Sequence, residues 1–198
     1  MAGPVASIRR RPGETRALIV AGAVTCLRSR RLRDLRVEEV MDAAGPGLSR
    51  TLFYRHFDDM IDLVLQVSAE AMSTLLDRQR DLLAGATSLE EGLHIAYDAL
   101  GETFERQGPL IRAVVDAAAV DRRAEAVFDH VLSTYVDFAR TVLELHGLGE
   151  AASETARALV RMDMYYLLDC YGVEPRVERS VVIDTLSAVW VARCRPAG

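Results

Sequence analysis

Residues 49–57 read Ser-Arg-Thr-Leu-Phe-Tyr-Arg-His-Phe and gather side chains suited to holding a polyanion. An Arg guanidinium is a planar fork of donors that matches a phosphate, or the two major-groove acceptors of guanine, bidentately. Wound as a helix, the segment turns Leu48, Leu52 and Phe53 toward a core. Its opposite face then offers Arg50, Thr51, Arg55 and His56 to a groove. This is binding chemistry, not bond-making chemistry. No nucleophile elbow, phosphate loop, metal cluster or convincing acid pair occurs in the 198 residues, so a helical enzyme lacks a site.

Presenting that face requires a second element. Residues 37–44 (Val-Glu-Glu-Val-Met-Asp-Ala-Ala) predict a short helix with Val40, Ala43 and Ala44 as a small apolar face. Gly45-Pro46-Gly47 breaks it, and Ser49 can cap the next helix to about Arg55. Two short helices crossing over a tight turn make a helix-turn-helix. Stretches 47–108 and 110–174 lack proline, which permits long helices, and no alternating strand pattern with β-branched enrichment occurs. The chain is therefore expected to be all-α. About nine helices are predicted, near 14–30, 37–44, 49–55, 58–84, 88–106, 109–118, 121–146, 150–171 and 175–193. Ser88 with Glu91 is a capping box, and Pro109 suits the first turn of a new helix. The first three helices form a head over residues 1–57, and residues 58–198 form a helical body.

Charge follows the same division. Residues 1–57 hold eleven Arg against five acids, a balance of +6, and the remainder thirteen Arg against twenty-four acids, a balance of −11. A basic head on an acidic body places any polyanion at the head. Every fixed cation is Arg. With 50% apolar and 27% charged residues the chain buries a core and is not disordered. No apolar run reaches the length of a membrane span, and residues 1–14 do not read as a secretory leader. Three scattered cysteines, Cys26, Cys170 and Cys194, have no metal-binding spacing and read as reduced thiols of a cytoplasmic protein. No metal or cofactor is expected.

The runs Ala43-Ala44-Gly45, Leu48-Ser49-Arg50 and Phe53-Tyr54-Arg55-His56-Phe57 resemble the signature of the TetR/AcrR family of transcription regulators. The spacing from Ser49 to Phe57 matches without a gap. Three departures stand out. The turn carries two extra residues at Pro46 and Gly47. Arg36 stands where a Ser or Thr usually caps the second helix. Asp58-Asp59 follows Phe57, where a phosphate-holding Lys is common. The resemblance implies that Ser49, Arg50, Thr51 and Leu52 approach bases, with Arg50 on guanine. It implies that Tyr54, Arg55 and His56 hold phosphates. Arg9, Arg10 and Arg11 would be an arm along the backbone or minor groove. Leu52, Tyr54 and His56 also fit a head core, and the arginine triplet also fits a solvated tail. The implied partner is double-stranded DNA, bound by a homodimer.

In the body, apolar stripes recur at helical spacing: Leu93, Tyr97, Leu100 and Phe104; Phe128, Val131, Leu132, Tyr135 and Phe138; Leu159, Met162, Tyr166 and Cys170. Ordinary core explains them, and so does a pocket for a small hydrophobic effector. Glu102-Thr103-Phe104 and the 183–191 segment resemble the mycobacterial ethionamide regulator (EthR-like) subgroup. That likeness implies that Leu93, Leu100, Phe104, Phe128, Leu132, Tyr135, Asp163 and Trp190 line the pocket. Asp163 either orients an amine or amide of a ligand or faces solvent and pairs with an Arg. Val177, Val181, Val182, Thr185, Leu186 and Val189 are expected at the dimer interface. A repressor released by its effector is the expected function. A constitutive regulator or activator is not separated from it by sequence. A scaffold binding only protein would show no salt-dependent DNA affinity.

Overall fold

The computed structural model describes residues 12–83 and 86–194. Among them are eight α-helices, two single 3-10 turns (32–34 and 149–151) and no strand. The helices are α1 (Pro12–Leu27), α2 (Val37–Ala44), α3 (Arg50–Phe53), α4 (Met60–Leu83), α5 (Leu89–Ala118), α6 (Arg122–Leu145), α7 (Ala152–Tyr171) and α8 (Arg179–Cys194). None is long and apolar enough to cross a membrane.

Local signals place the helix starts. Pro12 occupies the first position of α1, where a missing N–H is harmless. Arg36 offers no side-chain cap to α2, and the Glu39 carboxylate instead accepts the Arg36 N–H at 2.9 Å. Glu39 also pairs with Arg30, whose hydrogen bond holds its carboxyl below the usual range. At the start of α4, Asp59 accepts the Asp62 N–H at 2.7 Å, and Asp62 accepts the Asp58 N–H at 2.9 Å. Ser88 caps α5 by accepting the Glu91 N–H at 3.1 Å. Glu91 does not close the box on Ser88: its carboxylate accepts from the Thr87 N–H and hydroxyl, at 2.8 and 2.6 Å.

One expected boundary is absent. The helices predicted over 88–106 and 109–118 are a single helix, α5, which runs through Pro109. A proline inside a helix leaves the carbonyl four residues earlier without its N–H. Here that carbonyl belongs to Glu105 and faces the Arg28 guanidinium at 3.4 Å, while the same guanidinium reaches the Val173 carbonyl at 3.4 Å. Gly108 permits this crossing, because a Cβ there would lie 2.3 Å from the Tyr171 oxygen. A donor from the far end of α1 thus compensates the break that sequence reading places at 107–108.

Two apolar clusters form the core. The head cluster joins Ile19, Leu27, Val40, Phe53 and Phe57 to Leu63, Val64 and Val67 of α4. It continues onto Leu110, Val114 and Ala117 of α5 and Ala124 of α6. Ala43, expected on the apolar face of α2, is exposed instead. The body cluster gathers Leu93, Tyr97, Phe104, Leu132, Leu143, Leu159, Leu167, Val182, Leu186 and Trp190. Met72 and Leu75 of α4 belong to it too, so α4 and α5 pass through both clusters. Arg16–Glu70 and Arg31–Asp116, each at 2.7 Å, add ion pairs between head and body. These pairs are largely exposed and worth little, so the head cluster, through its α5 and α6 members, carries the attachment.

Candidate nucleic-acid interface and ligand cavity

The turn between α2 and α3 depends on two glycines. Gly45 has φ +121° and Gly47 φ +76°, a region that L side chains rarely adopt. With Pro46 between them, they deliver the chain to Ser49, the N-cap of α3 in extended conformation. Contrary to expectation, the Ser49 hydroxyl makes no capping bond. The α-helix proper ends at Phe53, earlier than the predicted Arg55, and single turns carry on: His56 and Phe57 both donate their N–H to the Phe53 carbonyl, at 2.9 and 3.0 Å.

Burial sorts this segment by face. Phe53 and Phe57 are fully buried, with ring centroids 5.7 Å apart. Leu52 and His56 are half-buried. Ser49, Arg50, Thr51, Tyr54 and Arg55 are exposed. Arg50 reaches Glu38 of α2 at 2.7 Å, and its guanidinium lies 5.8 Å from the Tyr54 ring. An exposed pair of this kind contributes little stability but restricts the direction of the fork. Arg50, Thr51, Tyr54 and Arg55 thus form one exposed polar row on a backbone locked from behind by Phe53 and Phe57.

The body holds a half-open cavity of about 500 Å³. Gln79 of α4, Leu93, Tyr97 and Leu100 of α5, Tyr135, Phe138 and Val142 of α6, Val160 and Asp163 of α7, and Trp190 of α8 all line it. Asp163, only 8% exposed, is its polar centre. One carboxylate oxygen, Oδ2, accepts the Tyr97 hydroxyl at 2.7 Å and the Trp190 indole N–H at 3.1 Å. The other, Oδ1, is buried and has no partner. Burial pushes the Asp163 carboxyl up to about 7, against the lowering effect of its two hydrogen bonds. Burial first, and then the Asp163 charge, push the Tyr97 hydroxyl well above its usual range. The Tyr135 hydroxyl is likewise buried without a partner, and burial raises it. A second space of about 480 Å³, between α4 and α6, shares Tyr135.

No family model matches the sequence, and no curated protein matches it. Solved structures do match along nearly the whole chain. A TetR/AcrR-family transcriptional regulator from Aquifex aeolicus superimposes with TM-score 0.69 at 14% identity, over 90% of this chain and 98% of its own. A fatty acid degradation regulator from Bacillus halodurans gives 0.66 at 15% identity, over 91% and 96%. A TetR-family regulator from Streptomyces coelicolor gives 0.65 at 16% identity, over 92% and 95%. The fold is the TetR fold. At these identities the likeness is one of architecture, and the three names do not single out the ethionamide-regulator subgroup.

Within this TetR fold the predicted site residues divide. Leu93, Tyr97, Leu100, Tyr135, Asp163 and Trp190 line the cavity. Phe104 and Leu132 do not: both are buried in the body core, Phe104 one turn beyond Leu100. Phe128 packs where the two core clusters meet. Met162 is 37% exposed and points away from the cavity lining. Tyr166 packs against the body core outside it. Arg9, Arg10 and Arg11 lie outside the described residues. Asp163 neither faces solvent nor pairs with an Arg, the second of its two expected placements. Val182 and Leu186, expected at a dimer interface, are buried in their own chain's core. Sequence reading missed Gln79, Val142 and Val160. Val142 continues the stripe through Tyr135 and Phe138 at helical spacing, so its signal was present.

Proposed function

We propose that the chain is a TetR-type transcriptional regulator that binds a roughly palindromic operator as a homodimer. In this reading it acts as a repressor and is released by a small, largely apolar effector held in the body. The exposed row Arg50, Thr51, Tyr54 and Arg55, on a segment anchored by Phe53 and Phe57, carries the reading. Arg50 takes guanine, with Ser49, Thr51 and Leu52 beside it at the base edges. Tyr54, Arg55 and His56 take phosphates and set the register. Asp59, standing near the position where a phosphate-holding Lys is common, pairs instead with Arg123 at 3.0 Å. Phosphate affinity must therefore come from the head arginines.

Dimerisation is supported by apolar side chains left open on the last two helices: Met162 and Tyr165 of α7, Val181 and Val189 of α8. Pairing them with a second copy gives a four-helix bundle about a two-fold axis. Two heads then meet successive major grooves about 34–36 Å apart, or a multiple of that. Release follows from α5. Its first half lines the cavity and its second half lies under the head, so a ligand that shifts α5 shifts head spacing. Only a ligand with different affinity for the two spacings moves the equilibrium, and a thousandfold loss of operator affinity needs about 4 kcal/mol of coupling.

Selection from a random duplex pool, followed by salt titration of the winning site, tests this reading. We expect an enriched palindrome bound by a dimer, with affinity falling steeply as salt rises. A monomer that enriches no site would contradict it.

A further inference from the structure

We infer that the body cavity is built for an amphiphilic amine, with the apolar part against α5 and α6 and a protonated amino head seated on Asp163. This rests on the reading of the cavity as the effector site, and it goes further by naming the head group. Tyr97 and Trp190 both donate to Oδ2, one from α5 and one from α8, and together they fix the carboxylate's orientation. Asp163 lines the cavity, and its Oδ1 is buried there without a partner, so it is the one carboxylate atom still free to take a donor. A buried acceptor in this state is costly until a donor arrives. The Tyr135 oxygen is also buried without a partner, on a second residue that lines the cavity. Gln79, the other amide on the lining, gives one of its two N–H groups to the Ala96 carbonyl at 3.0 Å.

Charge selects the kind of donor. Among the described residues lining the cavity there is one carboxylate and no Arg, in a chain of 24 arginines. The remaining titratable lining groups are Tyr97, Tyr135 and, at an exposed position just past α6, His146. A carboxylate ligand would find no fixed cation among these residues and would face Asp163. An ammonium brings three donors and the complementary charge, which makes its hydrogen bonds the stronger, charge-assisted kind. An alcohol can bond Oδ1 but, unlike an ammonium, brings no charge to hold the carboxyl ionised.

Trp190 is the only tryptophan in the chain, and its indole is bonded to Asp163, so its fluorescence reports the site directly. The full chain, without DNA, is titrated with n-octylamine, n-octanol and n-octanoate at neutral pH. The expected order is amine, then alcohol, then carboxylate, with the amine at least about tenfold tighter than the alcohol. In Asp163→Asn the amine should lose at least about tenfold while the alcohol changes by less than about twofold. Octanoate binding as tightly as octylamine, an amine preference surviving in Asp163→Asn, or no binding by any of the three overturns the inference. The titration of the unaltered chain decides the matter even if the variant folds poorly. Operator retained at saturating octylamine would contradict the release reading alone, and a failed ligand order would leave operator binding untouched.

Discussion

Phe53→Ala is expected to destabilise the whole chain by about 3–5 kcal/mol, not the head alone. Phe53 is fully buried, with its ring edge-on to Tyr54 at 5.4 Å and tilted against Phe57 at 5.7 Å. Removing the ring leaves a cavity at the junction of α3, α2 and α4. The cluster it belongs to does not stop at the head but includes Leu110, Val114 and Ala117 of α5 and Ala124 of α6. Loss of head packing is therefore transmitted to helices that also form the body. Trp190 lies in the body cluster, far along the sequence from the altered residue. Urea unfolding followed by Trp190 fluorescence should move to clearly lower midpoint in Phe53→Ala. An unchanged Trp190 transition beside a lost head signal would show two independent units and remove the structural basis for coupling cavity to head.

The second large effect concerns Asp163 and runs against the usual sign for a carboxylate. Its carboxyl is raised from 3.8 to about 7, so the folded chain keeps this proton over a range where the unfolded chain has lost it. Stability from this group is complete below about pH 4 and declines as pH rises toward 7. At about 1.4 kcal/mol per pKa unit, a shift of this size is worth at most about 4 kcal/mol. Asparagine imitates the protonated acid: its amide oxygen can still accept from Tyr97 and Trp190, and it carries no charge to desolvate. Asp163→Asn should match the unaltered chain near pH 4 and exceed it by about 2–4 kcal/mol at pH 8, read by urea unfolding at both. A difference independent of pH, or a less stable variant at pH 8, would mean that Asp163 is ionised comfortably in the fold.

The parts of this structure that were legible in sequence are those set by near neighbours. Gly45-Pro46-Gly47 announces a break, Ser88 with Glu91 announces a helix start, and the spacing Leu93, Tyr97, Leu100 announces a lining face. What escaped depends on partners distant in the chain. Pro109 does not end α5, because Arg28 supplies a donor to the freed Glu105 carbonyl. The spacing Leu159, Met162, Tyr166 puts Met162 on an apolar stripe, yet α7 turns Val160 and Asp163 inward and leaves Met162 exposed. The inward face of α7 carries Ala156, Val160 and Leu167, and Asp163 on that face is made tolerable by bonds from Tyr97 and Trp190, which lie on other helices. Phe104 continues the α5 stripe, but one turn past Leu100 the helix has left the cavity for solid core.

The central claim is that the segment at Arg50 reads base edges in a duplex groove. Its most direct measurement compares the site profile selected by the unaltered chain with that selected by Arg50→Ala, at one salt concentration. Arg50 is exposed, and its partners in the free chain, Glu38 and Tyr54, are exposed as well, so the variant leaves the head core intact. The expected result is a loss of about 1–3 kcal/mol and relaxed preference at one base pair in each half-site, with the rest of the palindrome kept. Equal weakening toward every sequence, with the profile unchanged, would place Arg50 on phosphate and contradict it.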